Sequence, residues 1–226
     1  MAEIPAQQSG DEASARFQHP GFARAYVRVV EGMNERGALE HRRSLLAGLR
    51  GKVIEIGVGE GSSFALYPPA VTHVLALEPE DSLRSIAVSK AASAPVPVTV
   101  LAAAAEKIPA RDASVDAVVV SLVLCSVADQ AAALAEIRRV LRPGGTLAFY
   151  EHVRSHYALV AGLQDLVTPL WKRIAGGCHP NRDTLGAIVA AGFAIEESKR
   201  FGFSAQRLSP KTAHILGTAK RPENPH

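Results

Sequence analysis

Cysteine is scarce in this chain: Cys125 and Cys178 are the only two among 226 residues, and no CxxC spacing occurs. That excludes a disulfide-stapled scaffold and a cysteine-based zinc site, and no metal is expected. A dominant charge is missing too, because 25 Lys and Arg against 22 Asp and Glu leave a formal charge of +3, with the bases scattered along the chain. A nucleic-acid binder needs a focused phosphate-neutralising surface, so no nucleic-acid partner is expected. No stretch approaches the roughly 18 consecutive apolar residues of a spanning helix, and the N terminus, MAEIPAQQSGDEASARF, lacks a basic start followed by an apolar run. Neither secretion nor integral membrane association is expected, and the chain reads as cytoplasmic. Internal repeats and low-complexity segments are absent as well.

What the chain does have is material for one core. A content of 47% hydrophobic and 21% charged residues suits a single globular domain over 16–226, too short for a second catalytic domain. Residues 1–15 are polar, small and interrupted by Pro and Gly, and they read as a disordered tail. A helical period follows from Phe22 to Leu49, broken at Gly37, with Phe22, Tyr26 and Val29 on one face. Strand-like apolar runs then appear at Val53–Ile56, Thr72–Leu77, Val96–Leu101, Val115–Leu124 and Thr146–Tyr150, with two more at Phe193–Arg200 and Ala213–Lys220. Helical segments separate them, most clearly Asp129–Leu141. Strands without polar alternation, spaced by helices, predict a doubly wound α/β fold whose ligand sits at the carboxyl ends of a parallel sheet.

The first strand ends in Glu55-Ile56-Gly57-Val58-Gly59-Glu60-Gly61. Glycines here let the backbone turn tightly and approach a ligand, and a following helix start is expected to offer free N–H groups. The spacing is GxGxG, with Ser62 where a dinucleotide fingerprint has its third glycine, which weighs against a nicotinamide dehydrogenase. An acid, Glu78, closes the second strand before Pro79. A carboxylate there suits a ribose diol, since it accepts two hydrogen bonds; the alternative is a helix-capping acid.

With four pieces in order (VIEIGVGEG at 53–61, LEPE at 77–80, AEKIPARDASVDAVVVSLVL at 105–124 and EIRRVLRPGGTLAFYEHV at 136–153) the sequence resembles class I S-adenosylmethionine-dependent methyltransferases over most of its length. The resemblance implies a mostly parallel seven-stranded sheet with N-terminal helices. It implies S-adenosylmethionine as cofactor and S-adenosylhomocysteine as product. Glu55, Gly57, Gly59 and Gly61 would border the methionine end, Glu78 with Pro79 the ribose, Ala105 and Glu106 the adenine, and Leu122 the floor below. Ala104 stands where many relatives carry an adenine-binding Asp. FALYPP at 64–69, VVVSLVLCSV at 118–127, EHV at 151–153, and PLWK at 169–172 with Cys178 and Arg182 resemble thiol S-methyltransferase-like proteins. HPGFARAY and EHRRSLLAGLRGKVIEIG resemble soluble bacterial members.

On the acceptor side, a thiol is partly ionised near neutrality and needs little basic help, whereas a hydroxyl needs a base. His152, just past the fifth strand, is the candidate: a base titrating near neutral pH, or a loop histidine that orients the segment after it. That segment, 154–181, contains an amphipathic stretch, Leu159–Ile174, and is expected to form a lid whose apolar face packs on the rim of the site. Trp171 is either a wall of the acceptor pocket or an anchor of the lid, and Tyr26 either caps the cofactor or packs on Phe22. Cys178 is a pocket candidate, Cys125 a buried small hydrophobe, and Arg182 either neutralises a substrate or plays a structural part. The reading is methylation of a small-molecule acceptor, a thiol first, in tailoring or detoxification. O- or N-methylation of a metabolite or lipid headgroup, or silent cofactor binding, are the alternatives; oligomeric state is left open.

Overall fold

The computed structural model describes residues 17–18, 20–205 and 209–223; the tail expected over 1–15 and the side chain of Phe22 lie outside the described residues. Seven strands form one sheet in the order β3-β2-β1-β4-β5-β7-β6. They are β1 (Gly51–Ile56), β2 (Val71–Leu77), β3 (Val98–Leu101), β4 (Val115–Ser121), β5 (Leu141–His152), β6 (Ala194–Phe203) and β7 (Thr212–Lys220). The first five run parallel, and β7 pairs antiparallel with both β5 and β6. The central strands are apolar because both faces are covered: Val53, Ile54 and Ile56 of β1 and Val118, Val119 and Val120 of β4 are all buried. Strand order reverses between β1 and β4, and the crevice at that switch point is where such a sheet binds ligands.

Helix α1 (Pro20–Met33) and α2 (Leu39–Leu46) precede the sheet and meet at a bulged turn containing Gly37, whose φ of 107° marks the expected break. Helices α3 (Asp81–Ala91), α4 (Gln130–Val140), α5 (Ala158–Ile174) and α6 (Thr184–Ala190) complete the layers. In α4 the predicted apolar face is the buried one, with Leu134, Ile137 and Val140 in the core. Asp129 caps it by accepting a hydrogen bond from Ala132 N–H at 2.9 Å.

Three expectations fail for local reasons. No α-helix follows the glycine loop, only a single 3-10 turn at Phe64–Leu66, which Tyr67-Pro68-Pro69 ends. The fourth strand stops at Ser121 rather than Leu124, because Leu122 turns the chain with a φ of 62°. The fifth runs on to His152, whose register partner is His214 of β7, so that histidine sits in the sheet rather than in a loop. Among the described residues no helix is long and apolar enough to cross a membrane.

Candidate active site

The glycine loop and the end of β2 are tied together. Glu78 is buried, and its two carboxylate oxygens accept from Gly59 N–H at 2.8 Å and Glu80 N–H at 3.0 Å. Burial pushes its pKa up, while these backbone donors pull the other way. Gly57, Gly59 and Gly61 all have positive φ, between 57° and 80°. A Cβ at Gly57 would lie 2.6 Å from Val123, and one at Gly59 3.0 Å from the Tyr26 ring. Side chains are thus excluded at both positions by conformation and by close approach.

Glu55, also buried, accepts from Ser63 Oγ at 2.7 Å and Tyr67 Oη at 2.8 Å. Burial raises its pKa. Tyr26, Arg42, Glu55, Gly57, Val58, Glu60, Ser62, Ser63 and Ser121 line a narrow cleft. The N-terminal helices close it. Asn34 donates to Ser62 Oγ at 3.0 Å and accepts from the buried Arg42 guanidinium at 2.6 Å. Ser62 bonds in turn to Glu60, which also pairs with Lys90 of α3. Burial pushes the Tyr26 phenol up to about 12, so it stays a neutral donor and ring.

On the other side of β1, the loop after β4 is held by Glu151 of β5. This side chain is fully buried, and its carboxylate accepts from the N–H groups of Val123 at 2.9 Å, Leu124 at 3.0 Å and Cys125 at 3.1 Å. The Leu122 N–H donates to the Tyr150 carbonyl at 2.7 Å. Four successive backbone donors are satisfied in this way, which holds Leu122 in a left-handed conformation unfavourable for a leucine.

Beyond Glu151 lies His152. Its ring stacks on His214 with centroids 4.9 Å apart and planes within 9°. Burial lowers its pKa to about 4, so it does not titrate near neutral pH as expected from the sequence. His214 is lowered to about 3 by burial and by His152, and its Nδ1–H bonds to the Thr212 carbonyl. The Cys178 thiol stands 3.5 Å from His152 Nδ1, whereas His152 Nε2 is buried with no hydrogen-bond partner among the described residues. Cys178 interacts with the buried Cys125 and with Trp171; the bond with Cys125 lowers the Cys178 pKa and raises that of Cys125, which remains a thiol.

A methyltransferase-domain family matches residues 54–149. The chain is 36% identical over 180 residues to the thiol S-methyltransferase TMT1B of Homo sapiens, covering 77% of this chain and 73% of that one. It is 34% identical over 154 residues to TMT1A of Homo sapiens, covering 66% and 63%. The chain belongs to the class I S-adenosylmethionine-dependent methyltransferases. A SAM-dependent methyltransferase from Thermotoga maritima shares the fold, with a TM-score of 0.64 at 22% identity over 89% of this chain and 96% of that one.

The cofactor of these methyltransferases fits the cleft on structural grounds. Gly57 and Gly59 keep the loop free of side chains against Val123 and Tyr26, and Ser121 Oγ, on the lining of the cleft, is buried without a partner among the described residues. The lone 3-10 turn after the loop offers no helix N terminus to a pyrophosphate, which agrees with the GxGxG reading. Of the residues singled out in the sequence, Glu55, Gly57 and Tyr26 line or close the cleft, and Gly59 and Glu78 hold its floor. Pro79 stands just past Glu78, its carbonyl accepting from Gln18 and Arg84. Ala105 is buried in the core, and Glu106 accepts from the N–H groups of Ala128 at 3.2 Å and Asp129 at 3.4 Å, fastening the entry to α4.

Of the residues expected on the acceptor side, His152, Cys178 and Trp171 come together. Arg182 instead donates to the Leu124 carbonyl at 2.7 Å, the structural role weighed for it. Arg42, Asn34 and Glu151 were not singled out. Arg42 alone had a visible signal, a charge on the apolar face set by Leu45 and Leu46 of α2. Among the described residues no group of three His, Cys, Asp or Glu side chains is placed to hold a metal ion.

Proposed function

We propose that this enzyme methylates the sulfur of a small thiol. The observation that carries the reading is the enclosure of His152, whose ring is stacked on His214 with Nδ1 turned to the Cys178 thiol and Nε2 buried; burial also lowers its pKa, which makes it a weak base for a hydroxyl, whose own pKa is about 10 or higher. A thiol, with a pKa of about 8.5, is a few per cent ionised at neutral pH and brings its own nucleophile. His152, Cys178 and Trp171 then form a soft, uncharged wall that suits a sulfur and leaves the proton to solvent. The relatives named as thiol S-methyltransferases support the same reading.

When bound, S-adenosylmethionine supplies an electrophilic methyl group on a sulfonium. Glu78 would hold the ribose hydroxyls, Ala105 and Glu106 would flank the adenine, and Leu122 would support the cofactor from below. Arg42, presented by α2 beside Glu55, would face the methionine carboxylate, and Tyr26 would close the cleft over Gly59. Segment 154–181 would act as the lid that selects the acceptor. We place the enzyme in the cytoplasm, where thiols such as Cys125 and Cys178 stay reduced.

Incubating the pure protein with labelled S-adenosylmethionine and a panel of thiols, phenols, amines and lipid headgroups tests this. Thiols are expected to show the highest kcat/KM, rising with pH toward the thiol pKa. A phenol, amine or headgroup preferred over every thiol would replace the reading with O- or N-methylation.

A further inference from the structure

Helix α5 carries its apolar face outward. It rests on the body through Ala161, Gln164 and Thr168, the last two polar. Gln164 donates to the carbonyls of Val153 at 3.2 Å and Pro180 at 2.9 Å and accepts from Ser155 N–H at 2.7 Å. Exposed to water are Leu159 (92%), Val160, Leu163, Leu166 (77%), Val167, Leu170, Trp171 and Ile174, with Tyr157 just before the helix. At 100° per residue Leu159, Leu163, Leu166, Leu170 and Ile174 fall on one line, flanked by Val160, Val167 and Trp171. Eight contiguous large apolar side chains are far more than the scattered singles an ordinary surface shows. The helix also has Pro169 inside it and no side-chain hydrogen bond at its N-cap, so little within the helix itself explains its stability in water.

Charge distinguishes among possible occupants. Segment 154–181 contains one acid, Asp165, and that acid is neutralised in a two-pronged pair with Arg154 and by Asn181. Lys172 and Arg173 close the helix, both exposed and neither in an ion pair among the described residues. An apolar stripe ending in unpaired bases, with Trp and Tyr beside it, is the composition of a helix lying in a lipid headgroup layer. Residues 1–16 have only Met1 and Ile4 as large apolar side chains, too few to cover the stripe.

We propose that α5 is a peripheral membrane-docking helix that seats the enzyme on an anionic lipid surface, with the stripe in the headgroup layer and Lys172 and Arg173 on the phosphates. Trp171 lies at the edge of this stripe and also touches Cys178, so the docked face is continuous with the acceptor side. An apolar acceptor dissolved in the lipid would thus reach the site without crossing water. The docking itself does not depend on which atom the enzyme methylates.

The test uses the full chain and vesicles of phosphatidylcholine alone or mixed with phosphatidylserine. Trp171 is the only tryptophan, so its emission reports the patch directly. The expected result is a blue shift and co-sedimentation with the mixed vesicles, weakened by salt and by Lys172→Glu with Arg173→Glu. Leu166→Glu with Leu170→Glu should weaken partitioning at least about tenfold while calorimetry shows unchanged S-adenosylmethionine binding. The milder Leu166→Gln with Leu170→Gln serves if the charged pair fails to fold. Wild-type protein that neither shifts nor sediments overturns the proposal. So does a dimer in sedimentation equilibrium that the same substitutions dissociate while vesicles bind nothing.

Discussion

The region around the glycine loop and the region around His152 hold their polar groups in opposite ways. On the cofactor side every carboxylate already has donors: Glu78 has two backbone N–H groups, Glu55 has Ser63 and Tyr67, and Glu80 caps α3 through Leu83 N–H at 2.7 Å. Around His152 two stacked imidazoles are kept neutral, one with a buried nitrogen that has no partner among the described residues, and the adjoining helix turns apolar side chains to solvent. The first arrangement is preorganised for one fixed ligand, because its groups need no rearrangement on binding. The second offers shape and polarisability, which suits acceptors of varied structure.

Glu151 stands on the border between these sides, so removing it is the strongest way to break the contrast. Glu151→Ala leaves the buried N–H groups of Val123, Leu124 and Cys125 without acceptors. Each orphaned donor costs about 1–3 kcal/mol; with partial relaxation the loss should be about 3–5 kcal/mol of unfolding free energy. Chemical denaturation checks this. Glu151→Gln, which keeps one acceptor oxygen, should fall between the wild type and Glu151→Ala.

Acid should damage the acceptor side first. His152 and His214 have folded pKa values of about 4 and about 3 against 6.5 unfolded. The folded state therefore binds fewer protons than the unfolded chain between these limits, so the stability they contribute is full above pH 6.5 and is lost as pH falls toward 4. From pH 7.5 to 5 the loss should be about 2 kcal/mol per histidine. Urea titrations at the two pH values test it, and His214→Phe should flatten the dependence by roughly half.

On the cofactor side, Glu78→Ala should raise the dissociation constant for S-adenosylmethionine by about tenfold to a hundredfold, the equivalent of about 1.5–3 kcal/mol for a charge-assisted pair of bonds. Calorimetry at neutral pH measures this. An unchanged constant in a folded variant would place Glu78 outside the site.

The same contrast governs what was legible in the sequence. The sheet was readable because its central strands are buried on both faces and so consist of apolar runs such as Val118-Val119-Val120. The glycine loop and Glu78 were readable because local geometry fixes both residue type and spacing: left-handed turns at Gly57, Gly59 and Gly61, and a carboxylate at the end of β2 that reaches Gly59 N–H. Glu151, Arg42 and Asn34 were not, since each is a single polar residue whose partners come from elsewhere in the chain, up to 28 residues away for Glu151. In α5 periodicity revealed the stripe correctly and misplaced it. A period says which residues share a face, whereas the side that meets the body was decided by Gln164 reaching the carbonyls of Val153 and Pro180.

The smallest expected effect is at His152. If the acceptor is a thiol, His152 is a wall rather than a base, and His152→Ala should keep kcat/KM within about tenfold of wild type. The expectation follows from its pKa: an imidazole near 4 is already neutral across the physiological range, so no inflection from it should appear between pH 6 and 8 in either protein. Both profiles should instead climb in parallel with the thiolate fraction of the acceptor, so the small deficit of the variant should stay constant across the pH range. A hydroxyl acceptor makes the opposite demand, since losing its general base would cost about 10²–10⁴-fold and one or two pH units would restore little of it. Measuring kcat/KM against pH for both proteins on one acceptor separates the two cases. A large loss that alkali fails to repair would mean that the imidazole regains basicity when substrate and cofactor fill the site, and would turn the soft wall of the acceptor side into a catalytic one.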